Sequence, residues 1–290
     1  MKFVTYRYQE KEAVGVVRGE DRVVPINEFG LSYEDMNRLI CGLTADEKSK
    51  MERELATTKS NAMTDVEILA PILQPLQDVI CLGLNYTEHA KEAGAFSDVF
   101  TGGKEKAIYF SKRVSVAAGD GASVSCYKEL SDSCDYESEL GVIIGKDARS
   151  LSAEDVKDHI FGYTIINDMT LRNLQTGHKQ WYFAKSPDGY TPMGPCIVTA
   201  DEIAYPPALA IGSTVNGEVR QNGNTADMIH SIDEIVCELS SAMTLKAGTV
   251  IATGTPKGVA MGMEKPEFLK AGDVVTCTIE KVGSLTVTMV

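Results

Sequence analysis

The 290-residue sequence contains no apolar stretch that approaches the roughly 18 residues of a membrane span, and its first residues lack the apolar core of a signal peptide. It also lacks the G-x-S-x-G elbow of triad hydrolases, the P-loop, a G-x-G-x-x-G motif after a strand, and H-E-x-x-H. Triad hydrolysis, nucleotide binding and zinc proteolysis therefore have no support from motifs. We expect a soluble protein that is not exported.

Positive charge is scarce. The chain has 28 Lys and Arg residues against 41 Asp and Glu residues, which gives a net charge of -13. An excess of negative charge opposes binding to nucleic acid and to anionic membranes. It leaves open a small anionic ligand held in a local cationic pocket.

Cysteine pairs with metal-site or redox spacing are absent. The seven cysteines are odd in number and form no C-x-x-C motif. This usage is typical of reduced, mostly buried thiols in a cytoplasmic protein. The length allows one large domain, or one large and one small. Because Leu69-Ala70-Pro71 interrupts the pattern, we predict a small N-terminal unit over residues 1–70 and a larger domain over 71–290.

Two acids stand at the start of an apolar run over residues 133–145, where Glu137 and Glu139 are two positions apart. Side chains alternate along a strand, so both should point the same way, and a cation between them would relieve their repulsion. Asp168 follows the next apolar strand. Three carboxylates suit Mg²⁺ or Mn²⁺ better than zinc. Spacing alone equally allows a solvated strand face and a turn at Asp168.

A short helix is predicted after the apolar strand at 79–84, with Asn85 as its N-cap and Gly94 as its end. His89 and Glu92 then lie at i and i+3 on one face, where a carboxylate can orient an imidazole for activating water. A surface salt bridge on an exposed helix is the alternative. Residues 95–104 have no regular period and contain two adjacent glycines, which suggests a flap.

The last third of the chain is predicted to consist mostly of β-strands. Asn216-Gly217 predicts a hairpin, and a second hairpin is expected over residues 273–290 around Gly283. Between them, Ser231 and Glu234 form a capping box that opens a helix with one apolar stripe. We expect that stripe to belong to the core.

Seven motifs in order along residues 70–290 resemble the fumarylacetoacetate hydrolase family. They are G-L-N-Y-x-x-H-A-x-E at 83–92, D-Y-E-x-E-L at 135–140, N-D at 167–168 followed by R-x-L-Q at 172–175, K-S-x-D at 185–188, P-x-G-P at 192–195, N-G-E-x-x-Q at 216–221 and G-T-P-x-G-V at 254–259. The resemblance implies an α+β, predominantly β fold: a mixed β-sandwich roll, here with a small N-terminal α/β unit. It also implies a homodimer.

The resemblance assigns roles to individual residues. It implies that Mg²⁺ or Mn²⁺ is held by three carboxylates and that catalysis uses a histidine–glutamate dyad and a lysine, with three further side chains contacting substrate. The metal ligands would be Glu137, Glu139 and Asp168; the catalytic residues His89, Glu92 and Lys185; and the substrate contacts Lys112, Gln175 and Thr255. Asn173 departs from the aspartate that the family has more often, which bears on substrate identity.

The resemblance implies a divalent-metal-dependent hydrolase that cleaves a C–C bond of a small acylpyruvate or 1,3-dicarbonyl acid and could also decarboxylate oxaloacetate. His89 would deprotonate water, and the metal and Lys185 would stabilise the departing enolate. The alternative is an isomerase, decarboxylase or lyase acting on a hydroxydienedioate or a ureidoglycolate-like acid. A third hypothesis is a catalytically silent metal-binding scaffold, which an intact acid–base set disfavours.

Overall fold

The computed structural model describes residues 1–94 and 106–290, so the predicted flap over 95–104 lies outside the described residues. The strands are β1 (Lys2–Tyr8), β2 (Lys11–Arg18), β3 (Arg22–Pro25), β4 (Asn61–Ala62), β5 (Glu67–Leu69), β6 (Val79–Gly83), β7 (Ile108–Lys112), β8 (Ala122–Val124), β9 (Cys134–Asp135), β10 (Ser138–Ile144), β11 (Ile160–Asn167), β12 (Thr170–Leu171), β13 (Met193–Thr199), β14 (Ala210–Val215), β15 (Glu218–Asn224), β16 (Val250–Ala252), β17 (Val274–Ile279) and β18 (Gly283–Met289). The helices are α1 (Met36–Gly42), α2 (Ala45–Glu54), α3 (Thr87–Gly94), α4 (Ala153–Val156), α5 (Arg172–His178), α6 (Tyr182–Lys185) and α7 (Ile232–Ala242).

A large mixed sheet forms the framework. Its strands follow the order β4-β3-β2-β1-β13-β11-β10-β16-β6-β7, and β5 also pairs with β1. Strand β16 runs parallel to β6, whereas β10 and β11 are antiparallel. Because β1 pairs with β13, the strands of residues 1–70 extend the same sheet as the central strands. The domain boundary at residue 70 stays a prediction.

A five-stranded sheet in the order β15-β14-β17-β18-β8 packs against one face of the large sheet. The core between them joins Leu140 and Ile165 of the large sheet to Val275 and Leu285 of the small one. Helices α1 and α2 cover the opposite face, where Leu39 packs into a second buried cluster. The mainly β, mixed-sheet fold predicted from the sequence is confirmed.

Local sequence signals account for several elements. The capping box of Ser231 and Glu234 is formed at the start of α7, and the apolar stripe of that helix is buried. Asn216 and Gly217 both adopt positive φ, at 52° and 82°, and join β14 to β15. This turn geometry favours Asn-Gly in a two-residue hairpin. The final hairpin is formed by β17 and β18.

No helix within the described part of the chain combines the length and apolar character needed to cross a bilayer. All seven cysteines fall within the described residues and are free thiols, and five of them are buried. The predicted burial of most cysteines is thus confirmed.

Candidate active site

The three predicted metal ligands converge. Glu137, Glu139 and Asp168 are buried, and each offers one carboxylate oxygen within 4.8 Å of the others. Strand pairing causes this meeting, because Ser138 at the start of β10 lies opposite Asn167 at the end of β11. The predicted position of Asp168, directly after its strand, is correct.

The predicted reason for the meeting of the two glutamates is wrong. We expected Glu137 and Glu139 to lie on one strand and therefore to point the same way, but Glu137 lies in the connection between β9 and β10. That connection is held in place because the Glu137 backbone N–H donates to the Asn167 side chain at 3.0 Å, and the Asp168 N–H donates to the Glu137 carbonyl at 2.8 Å. Hydrogen bonds across the two strand ends therefore position Glu137.

Glu139 has an unsatisfied oxygen. Its Oε2 accepts from the Gly254 N–H at 2.8 Å, whereas Oε1 is buried and has no hydrogen-bond partner among the described residues. Burial, reinforced by the negative charges of Asp168 and Glu137, raises the pKa of Glu139 well above its ordinary value. A buried carboxylate without a counter-charge is costly. The donor set is all oxygen, so these residues fit Mg²⁺ or Mn²⁺.

Glu137 is in the opposite electrostatic situation. Burial alone would raise the pKa of Glu137, but the attraction of Lys185 and Arg172 outweighs it and the pKa falls below the usual range. Lys185 Nζ lies 2.9 Å from Glu137 Oε2, and Arg172 Nη2 lies 2.7 Å from Glu137 Oε1. Glu137 is therefore ionised and paired on both oxygens.

Lys185, the predicted catalytic lysine, bridges two members of the triad. Besides Glu137, its Nζ contacts Asp168 Oδ2 at 2.7 Å, and it also lies 4.9 Å from the centre of the Phe110 ring. Burial alone lowers the pKa of Lys185, but Asp168 and Glu137 overcome it and raise the value to about 12. The ammonium group is charged at neutral pH and belongs to the acid cluster.

Lys112, a predicted substrate contact, is buried next to the triad. Its side chain is fully buried at the end of β7 and ion-pairs with Asp168, and its Nζ also donates to the Met169 carbonyl at 3.0 Å. Among the described residues it is absent from the wall of the cavity beside the triad. Lys112 therefore contacts Asp168 on the side away from the cavity. A direct contact between Lys112 and substrate stays a prediction.

His89 and Glu92 lie on α3 beside the triad. His89 is 7% exposed, and its Nδ1 is 3.3 Å from Glu92 Oε2. Glu92 in turn accepts from the Gly258 N–H at 3.1 Å. A salt bridge on an exposed helix is thus excluded by the burial of His89. Asn85 is not the N-cap we predicted, because α3 begins at Thr87 and the Asn85 side-chain oxygen, which would be the capping acceptor, accepts from the His230 N–H at 2.8 Å instead.

A cavity of about 410 Å³ joins the triad to the dyad. His89 and Lys185 line it together with apolar side chains, among them Leu82, Phe110 and Trp181. Its size suits a small organic acid with one or two water molecules. Apolar walls around a cluster of charges strengthen electrostatic interactions within the cavity.

The predicted substrate contacts Gln175 and Thr255 both line the cavity. Gln175 Oε1 accepts from Arg172 Nη1 at 3.1 Å, so its amide NH₂ is the group left for a ligand. The Thr255 hydroxyl donates to the Ser138 carbonyl at 2.8 Å and accepts from Gln221 Nε2 at 2.7 Å. The hydroxyl of Thr255 therefore has little capacity left for a substrate.

Sequence reasoning gave no role to Asp135. Its buried carboxylate accepts from Arg172 Nε at 2.8 Å and from the N–H groups of Tyr136, Ala260 and Met261 at 2.8–3.0 Å. It thereby fixes Arg172 against Glu137. The D-Y-E motif contained the signal for a buried acid, but the partner lies 37 positions away and no local spacing points to it.

Comparisons with known proteins agree with this geometry. Residues 78–290 match the family model for the fumarylacetoacetate (FAA) hydrolase C-terminal domain. The chain is 38% identical to the oxaloacetate tautomerase YisK of Bacillus subtilis (strain 168), over 98% of each chain. A fumarylacetoacetate hydrolase from psychrophilic Exiguobacterium antarcticum is 36% identical, with a TM-score of 0.88 over 100% of this chain and 99% of that one.

A further similar structure is maleylpyruvate hydrolase from Sphingobium sp. SYK-6, in complex with manganese (II) and pyruvate. It is 28% identical, with a TM-score of 0.79 over 100% of this chain and 99% of that one. Family match, full-length relatives and solved structures all lead to one assignment. This chain is an enzyme of the fumarylacetoacetate hydrolase family.

Proposed function

We propose that this protein is a Mg²⁺- or Mn²⁺-dependent enzyme that moves a proton on a small 2-oxo acid, with keto–enol tautomerisation of oxaloacetate as its reaction. The observation that carries the proposal is that Glu137 and the uncompensated Glu139, two members of the buried triad, line the same cavity as His89, which Glu92 contacts from outside the cavity lining. The full-length similarity to an oxaloacetate tautomerase supports this substrate class.

Each group of residues in the site would have a separate role in the reaction. Glu137, Glu139 and Asp168 would hold the cation, which when bound polarises the 2-oxo group and stabilises negative charge on its oxygen. His89 would take a proton from the carbon next to that group and return it to the oxygen, so that atoms and charge balance. Glu92 would hold the imidazole in place, and the cationic Lys185 would stabilise developing negative charge beside the triad.

Hydrolysis of the C–C bond of an acylpyruvate or another 1,3-dicarbonyl acid is the second candidate. The His89–Glu92 dyad favours it, because the same base can deprotonate a water molecule for attack on a carbonyl carbon. The manganese- and pyruvate-bound relative is a hydrolase. Decarboxylation of oxaloacetate, or isomerisation of a hydroxydienedioate, would need the same enolate without an attacking water.

The experiment compares metal-free protein with protein in excess Mg²⁺ or Mn²⁺, on oxaloacetate and on acetylpyruvate. Decay of the enol, release of CO₂ and formation of pyruvate are followed separately, so that each reaction has its own signal. We expect His89→Asn to lower kcat by about 10²- to 10⁴-fold. His159→Asn is the control, since that residue lies outside the cavity.

A rate in His89→Asn within threefold of the parent would refute proton transfer by His89, and turnover unaffected by chelator would refute the metal. Metal binding without turnover of either substrate would instead favour the silent scaffold. The homodimer, which we retain as part of this proposal, is tested by measuring the molecular mass in solution.

A further inference from the structure

Helix α5 and the residue that follows it contribute two further side chains to the cavity. Gln175 lies on the helix and Lys179 lies directly after it, and both line the cavity. Lys179 directly follows the last helical residue and adopts a left-handed conformation, with φ 60° and ψ -27°. A helix end of this kind usually carries glycine or asparagine, because a Cβ is strained there.

Lys179 is unlike the other cations of the cavity. Lys185 is bound by Glu137 and Asp168, and Arg172 by Asp135 and Glu137. Lys179 is exposed and has no carboxylate partner within residues 1–94 and 106–290. It is therefore the lining cation whose charge remains available to a ligand.

The net charge of the buried side chains, together with a bound cation, sets how much negative charge on a ligand the site can neutralise. Four buried carboxylates face three buried cations around the triad, namely Asp135, Glu137, Glu139 and Asp168 with Lys112, Arg172 and Lys185. With all four carboxylates ionised, as they would be around a bound cation, this leaves one negative charge in excess. A divalent cation would convert that excess to one positive charge, which a single carboxylate of a 2-oxo acid neutralises. A second carboxylate on the same ligand would need a cation of its own.

We propose that Lys179, assisted by the amide NH₂ of Gln175, binds the distal carboxylate of the substrate, so that the enzyme selects 2-oxo dicarboxylates over 2-oxo monocarboxylates. This inference rests on the proposed function, because it assumes that the 2-oxo end of the substrate lies at the triad. Gln175 is oriented for this role by Arg172, which occupies its carbonyl oxygen. An exposed lysine at a helix end also interacts favourably with the helix dipole, but that effect does not depend on a ligand.

The test compares two ligands that differ only at the distal end. Oxaloacetate and 2-oxobutyrate both have four carbons, and the first carries a carboxylate where the second has a methyl group. Binding in saturating Mg²⁺ is measured by the emission of Trp181, the only tryptophan in the chain, which lines the same cavity. This readout does not require turnover.

We expect Lys179→Met to weaken oxaloacetate binding about two- to fivefold, the upper part of the range for an exposed ion pair, and 2-oxobutyrate binding less than 1.5-fold. Lys179→Arg should retain most of the preference. The matched control is Lys281→Met, since Lys281 is another exposed lysine with positive φ, at 65°, but lies outside the cavity.

Equal weakening of both ligands in Lys179→Met, or of neither, would overturn the inference, as would equal affinity of the parent protein for the two. The measurements distinguish a failure of this inference from a failure of the proposed function. If oxaloacetate binds through Lys179 but is not converted, the proposed reaction fails and the inference stands. If oxaloacetate is converted at the parent rate with unchanged KM in Lys179→Met, the inference alone fails.

Discussion

Replacing Glu139 by glutamine should make the metal-free protein more stable. Glu139 is 1% exposed, its Oε1 has no partner among the described residues, and its charge is opposed by two other carboxylates. Glutamine keeps the shape and can accept from the Gly254 N–H as Glu139 does. Its NH₂ can donate to a neighbouring carboxylate, so the substitution exchanges repulsion for a hydrogen bond.

The magnitude follows from the single unsatisfied group. A buried acceptor without a partner costs about 1–3 kcal/mol, more when it is charged. At roughly 2 °C per kcal/mol for a chain of this size, Glu139→Gln should raise the Tm of chelated protein by about 2–6 °C at neutral pH. Magnesium at about a thousandfold excess over its Kd should make the parent the more stable protein, because a ligand at that excess adds about 4.1 kcal/mol to a protein that binds it. The variant has lost one carboxylate ligand.

The pH dependence has a defined sign. Burial raises the pKa of Glu139 in the folded state above its unfolded value. The stability that a protonated Glu139 provides is therefore complete below about pH 4 and is lost as the pH rises towards the folded-state pKa. The advantage of Glu139→Gln in chelator should be smallest near pH 4 and should grow towards pH 8.

Glu137→Gln provides the internal control, because the same substitution two positions earlier in the motif should act in the opposite direction. Glu137 is paired with Lys185 and Arg172, and removing one partner from a buried ion pair costs about 3–5 kcal/mol. Thermal unfolding of both variants in chelator, and again in excess Mg²⁺, checks the reasoning. A Tm of chelated Glu139→Gln below that of the parent, or shifts of the same sign for both, would refute it.

Two other substitutions test the supports of the site. Asp135→Asn removes the charge that pairs with Arg172 and should lower the free energy of unfolding in urea by about 3–5 kcal/mol, whereas exposed Asp132→Asn should change it by less than about 0.5. Gly83→Ala would place a Cβ 2.3 Å from the Trp181 ring, so overpacking should cost about 1–3 kcal/mol and shift the Trp181 emission, and an unchanged spectrum would contradict that packing.

Local patterns were sufficient to predict much of the fold. The capping box at Ser231, the Asn-Gly turn at 216–217 and the final hairpin depend on interactions within a few residues, and the structure has all three. The position of Asp168 was predictable for the same reason, because the end of an apolar strand is visible in the sequence. Each of these features has its cause and its signal in the same short segment.

The contacts that shape the site have no such local signal. Lys112 contacts Asp168 across 56 positions, and Arg172 contacts Asp135 across 37. Strand order in the large sheet decides the first contact, and the separate pairing of β9 with β12 decides the second. Sequence spacing alone contains neither pairing. Lys112 shows the consequence, since its own segment gives no sign that it lies behind Asp168 and away from the cavity wall formed by the described residues.

The distribution of counter-charges within the triad links folding to metal binding. Asp168 is paired with Lys112 and Lys185, and Glu137 with Lys185 and Arg172, whereas within the described part of the chain Glu139 has only the Gly254 N–H. A fourth basic side chain at Glu139 would have stabilised the metal-free fold, but it would also have occupied the position that a divalent cation needs. The unpaired oxygen thus lowers the stability of the metal-free protein and increases the free energy that metal binding returns. Metal affinity and the instability of the metal-free protein should therefore change together when Glu139 is replaced.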